Sequence, residues 1–224
     1  MTDAPQTAVL LSAGLDSAVL AAHQAVSSTV HPIYVSTGLA WEAEERAMLS
    51  RLLATRLYSN MAPVAQLTFT VLDLYSPSHW AIRGEPPAFD TPDEDVYLTG
   101  RNIVLLSKAA IYCAQHHINR ISIGPLSGNP FPDATPAFFS SFGQALSLGL
   151  AHELQIDTPF SQMDKAQVIR LGIDLGVPLE LTLSCMQPER GEHCGRCSKC
   201  RERRDAFSAA GQSDPTPYRE RPLR

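Results

Sequence analysis

The sequence predicts an α/β protein with a doubly wound, mostly parallel sheet, and two observations support this. Short apolar segments alternate along the chain with longer segments of helical periodicity, which is typical of a parallel sheet with helices on both faces. The first apolar segment, Ala8–Leu11, runs directly into a turn of small residues and then into a helix. In folds of this class the ligand binds beyond the carboxyl ends of the strands, so we expect the functional site at that edge.

The elements follow from these segments in chain order. Strands are predicted at Ala8–Leu11, Val30–Val35, Gln66–Leu72, Arg120–Ile123 and Gln155–Thr158. Helices are predicted at Ser17–Ala25, Trp41–Leu57, Asn102–Ala114, Pro136–Leu150 and Lys165–Leu175. Gly176 follows the last of these helices, where a glycine commonly ends a helix. The segment Pro77–Pro92 contains four prolines and lacks periodicity, so we expect a mobile loop there.

Composition and charge exclude several classes of protein. The formal net charge is −5, whereas nucleic-acid binders are usually basic, so we expect no nucleic-acid partner. The chain has no run of about 18 apolar residues, so we expect no membrane-spanning segment. Residues Met1–Thr7 lack the basic and apolar regions of a signal peptide. We therefore expect a cytoplasmic protein whose thiols stay reduced.

The turn after the first strand has the character of a phosphate-binding loop. Its backbone N–H groups and the N-terminus of the next helix point toward a bound anion, and Ser12 and Ser17 supply hydroxyl donors. Asp16 is itself an anion, so we expect it to cap the helix or to hold a Mg²⁺ shared with the phosphates. The alternative is an ordinary strand–turn–helix connection. The residues expected to bind the nucleotide are Leu11, Ser12, Ala13, Gly14, Leu15, Asp16, Ser17 and Ala18.

This turn is not a Walker loop, because it lacks the Gly-Lys-Ser/Thr sequence and the first hundred residues contain no lysine. It resembles the PP-loop of the N-type ATP pyrophosphatases, whose usual form is Ser-Gly-Gly-x-Asp-Ser. Ala13 stands where the first of these glycines is usual, and alanine tolerates a positive φ less well than glycine. The resemblance implies ATP as a substrate.

Four of the five cysteines lie close together near the C-terminus, with the spacing C-x8-C-x2-C-x2-C. In a reducing compartment this spacing indicates a metal site. Four thiolates complete the tetrahedral shell of Zn²⁺ and leave no place for water, so we predict a structural zinc. The alternatives are His193 in place of one thiolate, or an iron–sulfur cluster. The predicted ligands are Cys185, Cys194, Cys197 and Cys200, and the fifth cysteine, Cys113, is expected in the core.

Together these features divide the 224 residues into an ATP-binding α/β domain, residues 1–180, and a C-terminal zinc-binding segment, residues 181–224. Arg101 and Asn102 are expected at the active site, or else as a surface arginine and a capping asparagine. Asp133 is expected to contact the substrate, or else to be a turn residue. Lys165 is expected near the phosphates, or else at an exposed helix start.

The chain resembles the 7-cyano-7-deazaguanine synthase family of queuosine biosynthesis, nearly from end to end. Thr99-Gly100-Arg101-Asn102 is similar to the family's Pro-Gly-Arg-Asn segment. The stretch from Thr158 to Pro178 resembles the family's Thr-Pro…Lys-x-Glu…Leu-Gly-Val-Pro. The tail from Cys194 to Phe207 fits Cys-Gly-x-Cys-x-x-Cys-x-x-Arg-x-x-Ala-Phe.

This resemblance implies a Rossmann-like fold of the adenine nucleotide alpha hydrolase type, a homodimer and an ATP-dependent carbon–nitrogen ligase. In the family, 7-carboxy-7-deazaguanine is adenylated and ammonia displaces AMP to give an amide. A second activation then dehydrates the amide to a nitrile. The resemblance implies catalytic roles for Asp16, Ser17, Arg101, Asp133 and Lys165, and nucleotide contacts for Val35, Thr37, Gly38 and Asn102.

Several residues depart from the family pattern in the half that would bind the acceptor substrate. Ala134, Thr135 and Ala137 stand where the family has Cys, Arg and Glu. The Arg would pair with a carboxylate and the Glu would read a guanine-like edge. Leu39 and Gln167 replace a Gln and a Glu of the family. Beside the family's own reaction, a ligase acting on another carboxylate or amine, a PP-loop enzyme of another reaction type and a non-catalytic nucleotide-binding subunit therefore remain open.

Overall fold

The computed structural model describes residues 4–220, which form one five-stranded parallel sheet with helices packed on it. The strand order is β3-β2-β1-β4-β5, so β1 lies at the centre, between β2 and β4. The strands are β1 (Gln6–Leu10), β2 (Thr29–Ser36), β3 (Ala65–Thr68), β4 (Arg120–Ser122) and β5 (Gln155–Asp157). The predicted α/β fold with a parallel sheet is confirmed.

Both faces of the sheet are buried, and alternate residues of β1 and β2 enter different cores. Val9 and Tyr34 pack into one apolar cluster, and Leu10 and Ile33 pack into a second. Successive side chains of a strand point to opposite faces, so this division places one cluster on each side of the sheet. This is why the apolar runs in these strands are nearly continuous.

The helices are α1 (Leu15–Ala25), α2 (Glu42–Leu53), α3 (Trp80–Arg83), α4 (Arg101–Gln115), α5 (Pro136–Leu150), α6 (Lys165–Asp174) and α7 (Ser198–Ala209). The prediction for α5 is confirmed at both ends. Helix α4 extends one residue beyond its prediction at each end, and α6 ends one residue earlier than predicted. Helix α1 begins two residues earlier than predicted, at Leu15. Within residues 4–220, none of the helices combines the length and the apolarity needed to cross a membrane.

Two elements end four residues earlier than predicted. Helix α2 ends at Leu53 instead of Leu57, because Thr55 has an extended backbone and its hydroxyl donates to the Leu52 carbonyl. A short 3₁₀ turn, Arg56–Tyr58, follows. Strand β3 ends at Thr68 instead of Leu72, because it pairs only with β2, which ends at Ser36.

The proline-rich segment 77–92 is not wholly irregular, as the short helix α3 lies within it. The Trp80 ring of this helix stacks on that of Trp41, with ring centroids 5.8 Å apart. Gly84 ends the helix with a φ of 72°, in the left-handed region that glycine adopts readily. The contact places this segment over the start of α2.

The chain after residue 180 packs against the same core as α1 and α6. Arg203 of α7 is fully buried, and its guanidinium group donates to the hydroxyl of Thr182 at 2.9 Å and to that of Thr216 at 2.6 Å. It also donates to the carbonyl of Leu179 at 2.8 Å and lies over the Phe207 ring. One side chain therefore fastens α7 to chain segments on either side of it.

Candidate active site and metal centre

The loop between β1 and α1 is closed by its own serines. The Ser17 hydroxyl donates to the Gly14 carbonyl at 3.0 Å and accepts from the Ser12 N–H at 3.3 Å. Gly14 is the N-cap of α1 and no side chain caps this helix, so the alternative of a capping Asp16 is wrong. The N-terminus of α1 is therefore free to face an anion.

Ala13 occupies the strained position of this loop. Its φ is 60°, in the left-handed region, and its side chain is fully buried. A glycine would adopt this φ without strain, which is consistent with the glycine usual in PP-loops. Alanine is the smallest side chain that the position can hold in its place.

Two adjoining cavities of about 300 and 430 Å³ lie at the carboxyl ends of the strands, as the fold class predicts. We call them the strand cavity and the tail cavity. The strand cavity reaches between β1, β2 and α4. The tail cavity opens toward α6, α7 and the segment around Cys185. Residues shared by both include Ser12, Gly14, Asp16 and Arg101.

The structure brings most of the predicted site residues to these cavities. Leu11, Ser17, Val35, Thr37, Asn102 and Asp133 line the strand cavity, and Leu15 and Lys165 line the tail cavity. Three predicted residues line neither: Ala13, Ala18 and Gly38. Ala13 and Ala18 are fully buried. The Gly38 N–H donates to Glu42 instead of facing a cavity.

Asp16 is held by a lysine from a distant part of the chain. Lys165 Nζ lies 2.9 Å from Asp16 Oδ2 and 2.8 Å from Glu202 Oε1, and Lys199 Nζ lies 2.6 Å from Glu202 Oε2. Burial alone would lower the pKa of Lys165, but the Asp16 and Glu202 carboxylates raise it above its usual range. Burial acts to raise the pKa of Glu202, yet Lys165 and Lys199 lower it to about 2. This network of charges lies across the wall of the tail cavity and joins α1, α6 and α7.

The second oxygen of Asp16 fits a metal ligand. Asp16 Oδ1 is buried and has no hydrogen-bond partner, although Oδ2 is held by Lys165. Magnesium prefers oxygen ligands and commonly binds one or two carboxylate groups together with substrate phosphates. An unpartnered carboxylate oxygen beside a phosphate-binding loop has the chemistry that such an ion requires.

Arg101 and Asn102 begin α4 at the mouth of the strand cavity. The N-cap of α4 is Gly100, so Asn102 is not the capping residue. The Asn102 N–H donates to Asp133 Oδ2 at 3.0 Å, and its side-chain amide donates to the Asp133 carbonyl at 2.9 Å. Burial raises the pKa of the Asp133 carboxyl, although the Asn102 N–H and Arg101 act to lower it. Asp133 therefore holds the start of α4 in place, whether or not it also touches a substrate.

Glu42 organises the turn after β2. Its Oε1 accepts from the Thr37 N–H at 2.6 Å and from the Gly38 N–H at 3.0 Å. Its Oε2 accepts from the Ser36 hydroxyl at 2.6 Å. Both carboxylate oxygens of Glu42 therefore accept hydrogen bonds from the end of β2 and the turn after it. An acidic residue in the first turn of a helix ordinarily complements the helix dipole, so this contact could not be predicted from the sequence.

Glu45 is a buried carboxyl group that the sequence did not single out as a site residue. It is 8% exposed and lines both cavities. Its Oε2 accepts from the Tyr34 hydroxyl at 3.1 Å. Burial raises the pKa of Glu45 to about 7, although Arg101 and Tyr34 act to lower it. Its place on α2, one turn after the buried Trp41, was the available signal.

The residues that depart from the family pattern lie outside both cavities. Thr135 caps α5, where its hydroxyl accepts from the Phe138 N–H at 3.2 Å. Ala137 is exposed and Ala134 is half-buried. None of these three lines either cavity. The side chains at these positions therefore make no direct contribution to the site described here.

The four predicted zinc ligands form one buried cluster. Their sulfur atoms all lie within 4.8 Å of one another, and the Cys197–Cys200 and Cys194–Cys200 separations are 3.5 and 3.9 Å. A tetrahedral ion with Zn–S bonds of about 2.3 Å would hold its sulfurs roughly 3.8 Å apart. His193 Nε2 accepts from the Ser184 N–H at 3.0 Å, so it is engaged elsewhere. The cluster could hold a single metal ion such as zinc, and Cys113 is buried in the core as predicted.

The chain is similar to known proteins over nearly its whole length. The family described as "Queuosine biosynthesis protein QueC" matches residues 6–211. A protein of Azoarcus sp. (strain BH72) named "7-cyano-7-deazaguanine synthase" is 35% identical over 99% of this chain and 100% of its own length. The protein of the same name from Methanosphaerula palustris is 33% identical over 94% of this chain and 98% of its own length. The one from Anaeromyxobacter dehalogenans is 33% identical over 97% of each chain. The chain belongs to the QueC family of queuosine-biosynthesis enzymes, which are ATP-dependent ligases.

Proposed function

We propose that this enzyme adenylates a carboxylate substrate with ATP and passes the acyl group to ammonia or another amine. The carboxylate that the family name favours is 7-carboxy-7-deazaguanine, with 7-cyano-7-deazaguanine as the product. The observation that carries the proposal is the loop at residues 11–17. Its helix N-terminus is uncapped, and Asp16 Oδ1 lies buried and unpartnered beside it.

In the first step, an oxygen of the substrate carboxylate attacks the α-phosphorus of ATP. The bond from that phosphorus to pyrophosphate breaks, and the electron pair leaves with pyrophosphate. The N-terminus of α1 and the Ser12 hydroxyl stabilise the developing negative charge, while the Ser17 hydroxyl holds the loop closed through the Gly14 carbonyl. A Mg²⁺ held through Asp16 would neutralise further phosphate charge. Arg101, which lines both cavities, is placed to pair with an anionic group between them.

In the second step, the amine nitrogen attacks the acyl carbon and forms the C–N bond. The bond from that carbon to the AMP oxygen breaks, and AMP leaves with the electron pair. With ammonia the product is an amide, and a second adenylation would dehydrate it to the nitrile. No nucleophilic Ser or Cys is required, because the carboxylate attacks the nucleotide itself.

The test uses the purified protein with ATP, Mg²⁺, ammonium and 7-carboxy-7-deazaguanine. Release of AMP is measured by chromatography and the product by mass spectrometry. A carboxylate labelled with oxygen-18 should transfer label to AMP, which distinguishes adenylation from simple hydrolysis of ATP. Formation of labelled AMP and a nitrile is the expected result, and release of no AMP contradicts the proposal.

A variant strengthens this test. Asp16→Asn should lower AMP formation by roughly 100-fold, because it removes the charge expected to hold the ion. Asp205→Asn is the matched control, since Asp205 is exposed on α7 and lines neither cavity. Equal losses in the two variants would argue against a role for Asp16 in catalysis.

A second candidate is a ligase that uses another carboxylate or another amine. It is favoured by Thr135 and Ala137, which stand where the family has Arg and Glu, so this chain lacks the contacts that those two side chains would make. This candidate predicts adenylation without nitrile formation. An accumulated adenylate or amide in the same assay would support it.

A further inference from the structure

Glu45 and Arg101 face each other at the junction of the two cavities without forming an ion pair. Both side chains line the strand cavity and the tail cavity. Arg101 is near enough to act on the pKa of Glu45, yet the salt bridges of residues 4–220 do not include this pair. Arg101 Nε is also buried without a hydrogen-bond partner. A cation and an acid therefore flank one space that a ligand can enter.

The chemistry of this space suits the step of the proposed reaction in which an amine attacks the acyl adenylate. An acyl adenylate carries a negative phosphate that Arg101 can pair with. An attacking amine carries N–H groups that need an acceptor, and a carboxylate is such an acceptor. Glu45 Oε2 accepts from the Tyr34 hydroxyl, and the Trp41 side chain also hydrogen-bonds to this carboxylate. A carboxylate can accept about four hydrogen bonds, so Glu45 retains acceptor sites for the amine.

We propose that Glu45 is the proton acceptor for the amine that attacks the acyl adenylate. This rests on the proposed function. As the C–N bond forms, Glu45 takes one N–H proton from the nitrogen. The bond from the acyl carbon to the AMP oxygen then breaks, and the electron pair leaves with AMP. The products are the amide, AMP and a protonated Glu45, which returns its proton to solvent.

The groups around Glu45 set its protonation. Tyr34 on β2 and Arg101 on α4 act to lower its pKa, and Glu42 on the same helix acts to raise it. Across the tail cavity, Asp16 is paired with Lys165. Burial has the largest effect and raises the pKa of Glu45 to about 7, which is close to the value that general base catalysis at neutral pH favours.

The decisive experiment separates the two steps in Glu45→Gln. Carboxylate-dependent exchange of pyrophosphate into ATP reports adenylation alone, and ammonium-dependent AMP release reports the amine step. We expect exchange to stay within about twofold of wild type and the amine step to fall by roughly 100-fold. Hydroxylamine, a stronger nucleophile than ammonia, should restore much of the lost rate. Glu44→Gln is the matched control, because the Glu44 carboxylate accepts from the backbone of Arg190 and Gly191 and lines neither cavity.

Tyr34→Phe provides an independent readout. Loss of its hydrogen bond should raise the pKa of Glu45 further, so the ascending limb of the pH–rate profile should move to higher pH. A merely structural role for Glu45 would not move this limb. The proposal is overturned if Glu45→Gln releases AMP with ammonium at the wild-type rate. It is also overturned if the variant slows pyrophosphate exchange as much as it slows the amine step, or if it raises the KM for ATP. Absence of exchange in the wild type would refute the proposed function itself, and the role of Glu45 with it.

Discussion

The backbone N–H of Leu183 donates to the carbonyl oxygen of Ala13 at 2.8 Å. This hydrogen bond joins the loop between β1 and α1 to the chain that leads into the cysteine cluster, since Cys185 lies two residues later. Ala13 is also the loop residue with a φ of 60°. The strained residue of the loop is therefore held from the side of the metal centre, and the Lys165–Glu202 ion pair adds a second connection.

Removal of the metal should loosen the loop that we propose binds ATP. Cys197→Ser takes away one of four thiolates, and metal binding contributes directly to the folding free energy of structural zinc sites. We expect about one zinc ion per wild-type chain, a much weaker retention in the variant, and a lower melting temperature together with weaker ATP binding. Metal analysis, thermal unfolding and nucleotide titration measure the three effects.

Cys113→Ala is the control for this change. Cys113 is fully buried in the core behind the sheet, away from the cluster. It should lose roughly 1 kcal/mol through packing and keep its zinc and its nucleotide affinity. If Cys197→Ser bound ATP as tightly as Cys113→Ala does, the coupling between the metal centre and the loop would be refuted.

Ala13 allows a paired test of backbone strain. Ala13→Gly relieves a left-handed conformation that costs about 1 kcal/mol, but it loses a buried methyl of similar value, so its stability should stay within about 1 kcal/mol of wild type. Ala13→Val adds a β-branched side chain at a fully buried position with a φ of 60°. It should lose at least roughly 2 kcal/mol and most of the ATP affinity. Chemical unfolding measures the stability of both variants, and nucleotide titration measures their affinity for ATP. Wild-type stability and affinity in Ala13→Val would contradict the strain assigned to this position.

The sequence predicted those features that depend on local pattern. The strand order of a parallel sheet brings the loops after β1 and β4 together, so the position of the site followed from the alternation of elements. The four cysteines were identified from spacing alone, because their ligand chemistry is specific. By contrast, Asp16 and Lys165 are 149 residues apart, and only the packing of α6 on α1 shows that they pair.

Glu45 is a second feature of the site that could not be predicted from the sequence alone. Acidic residues in a first helical turn are ordinary, and sequence alone does not separate the exposed ones from a buried one. Glu42 and Glu45 are buried because α2 packs on the core through Met48, Leu49 and Leu52. The position of α2 relative to β2 and α4 then decides that the Glu42 carboxylate accepts hydrogen bonds from the turn after β2, whereas Glu45 lines both cavities.

Lys165 should be important for both stability and catalysis. Lys165→Met leaves Asp16 without its partner and removes one of the two lysines bound to Glu202. Because breaking a partly buried ion pair leaves a charge without its partner, we expect a loss of roughly 1–3 kcal/mol and a strong decrease in AMP formation. Lys108→Met on α4 serves as the control, since Lys108 lines neither cavity. Wild-type stability in Lys165→Met would contradict the role of the network.

Glu45 should make the stability of the protein depend on pH in a direction that can be measured. In the folded state the pKa of Glu45 is raised from 4.5 to about 7. Below pH 4.5 the carboxyl is therefore protonated in both the folded and the unfolded state, and its burial does not reduce stability through ionisation. As the pH rises from 4.5 through 7, the unfolded chain gives up this proton more readily than the folded one, and the folded state loses up to roughly 3 kcal/mol.

Glu45→Gln removes this cost but keeps an oxygen that can accept from Tyr34. The variant should therefore be more stable than wild type above pH 7, and the difference should disappear as the pH falls toward 4.5. Melting temperatures of the two proteins across this range give the answer, and a constant difference would show that the carboxyl does not titrate as its burial implies. A gain in stability with a loss of the amine step is the pattern expected when a buried charge is kept for function.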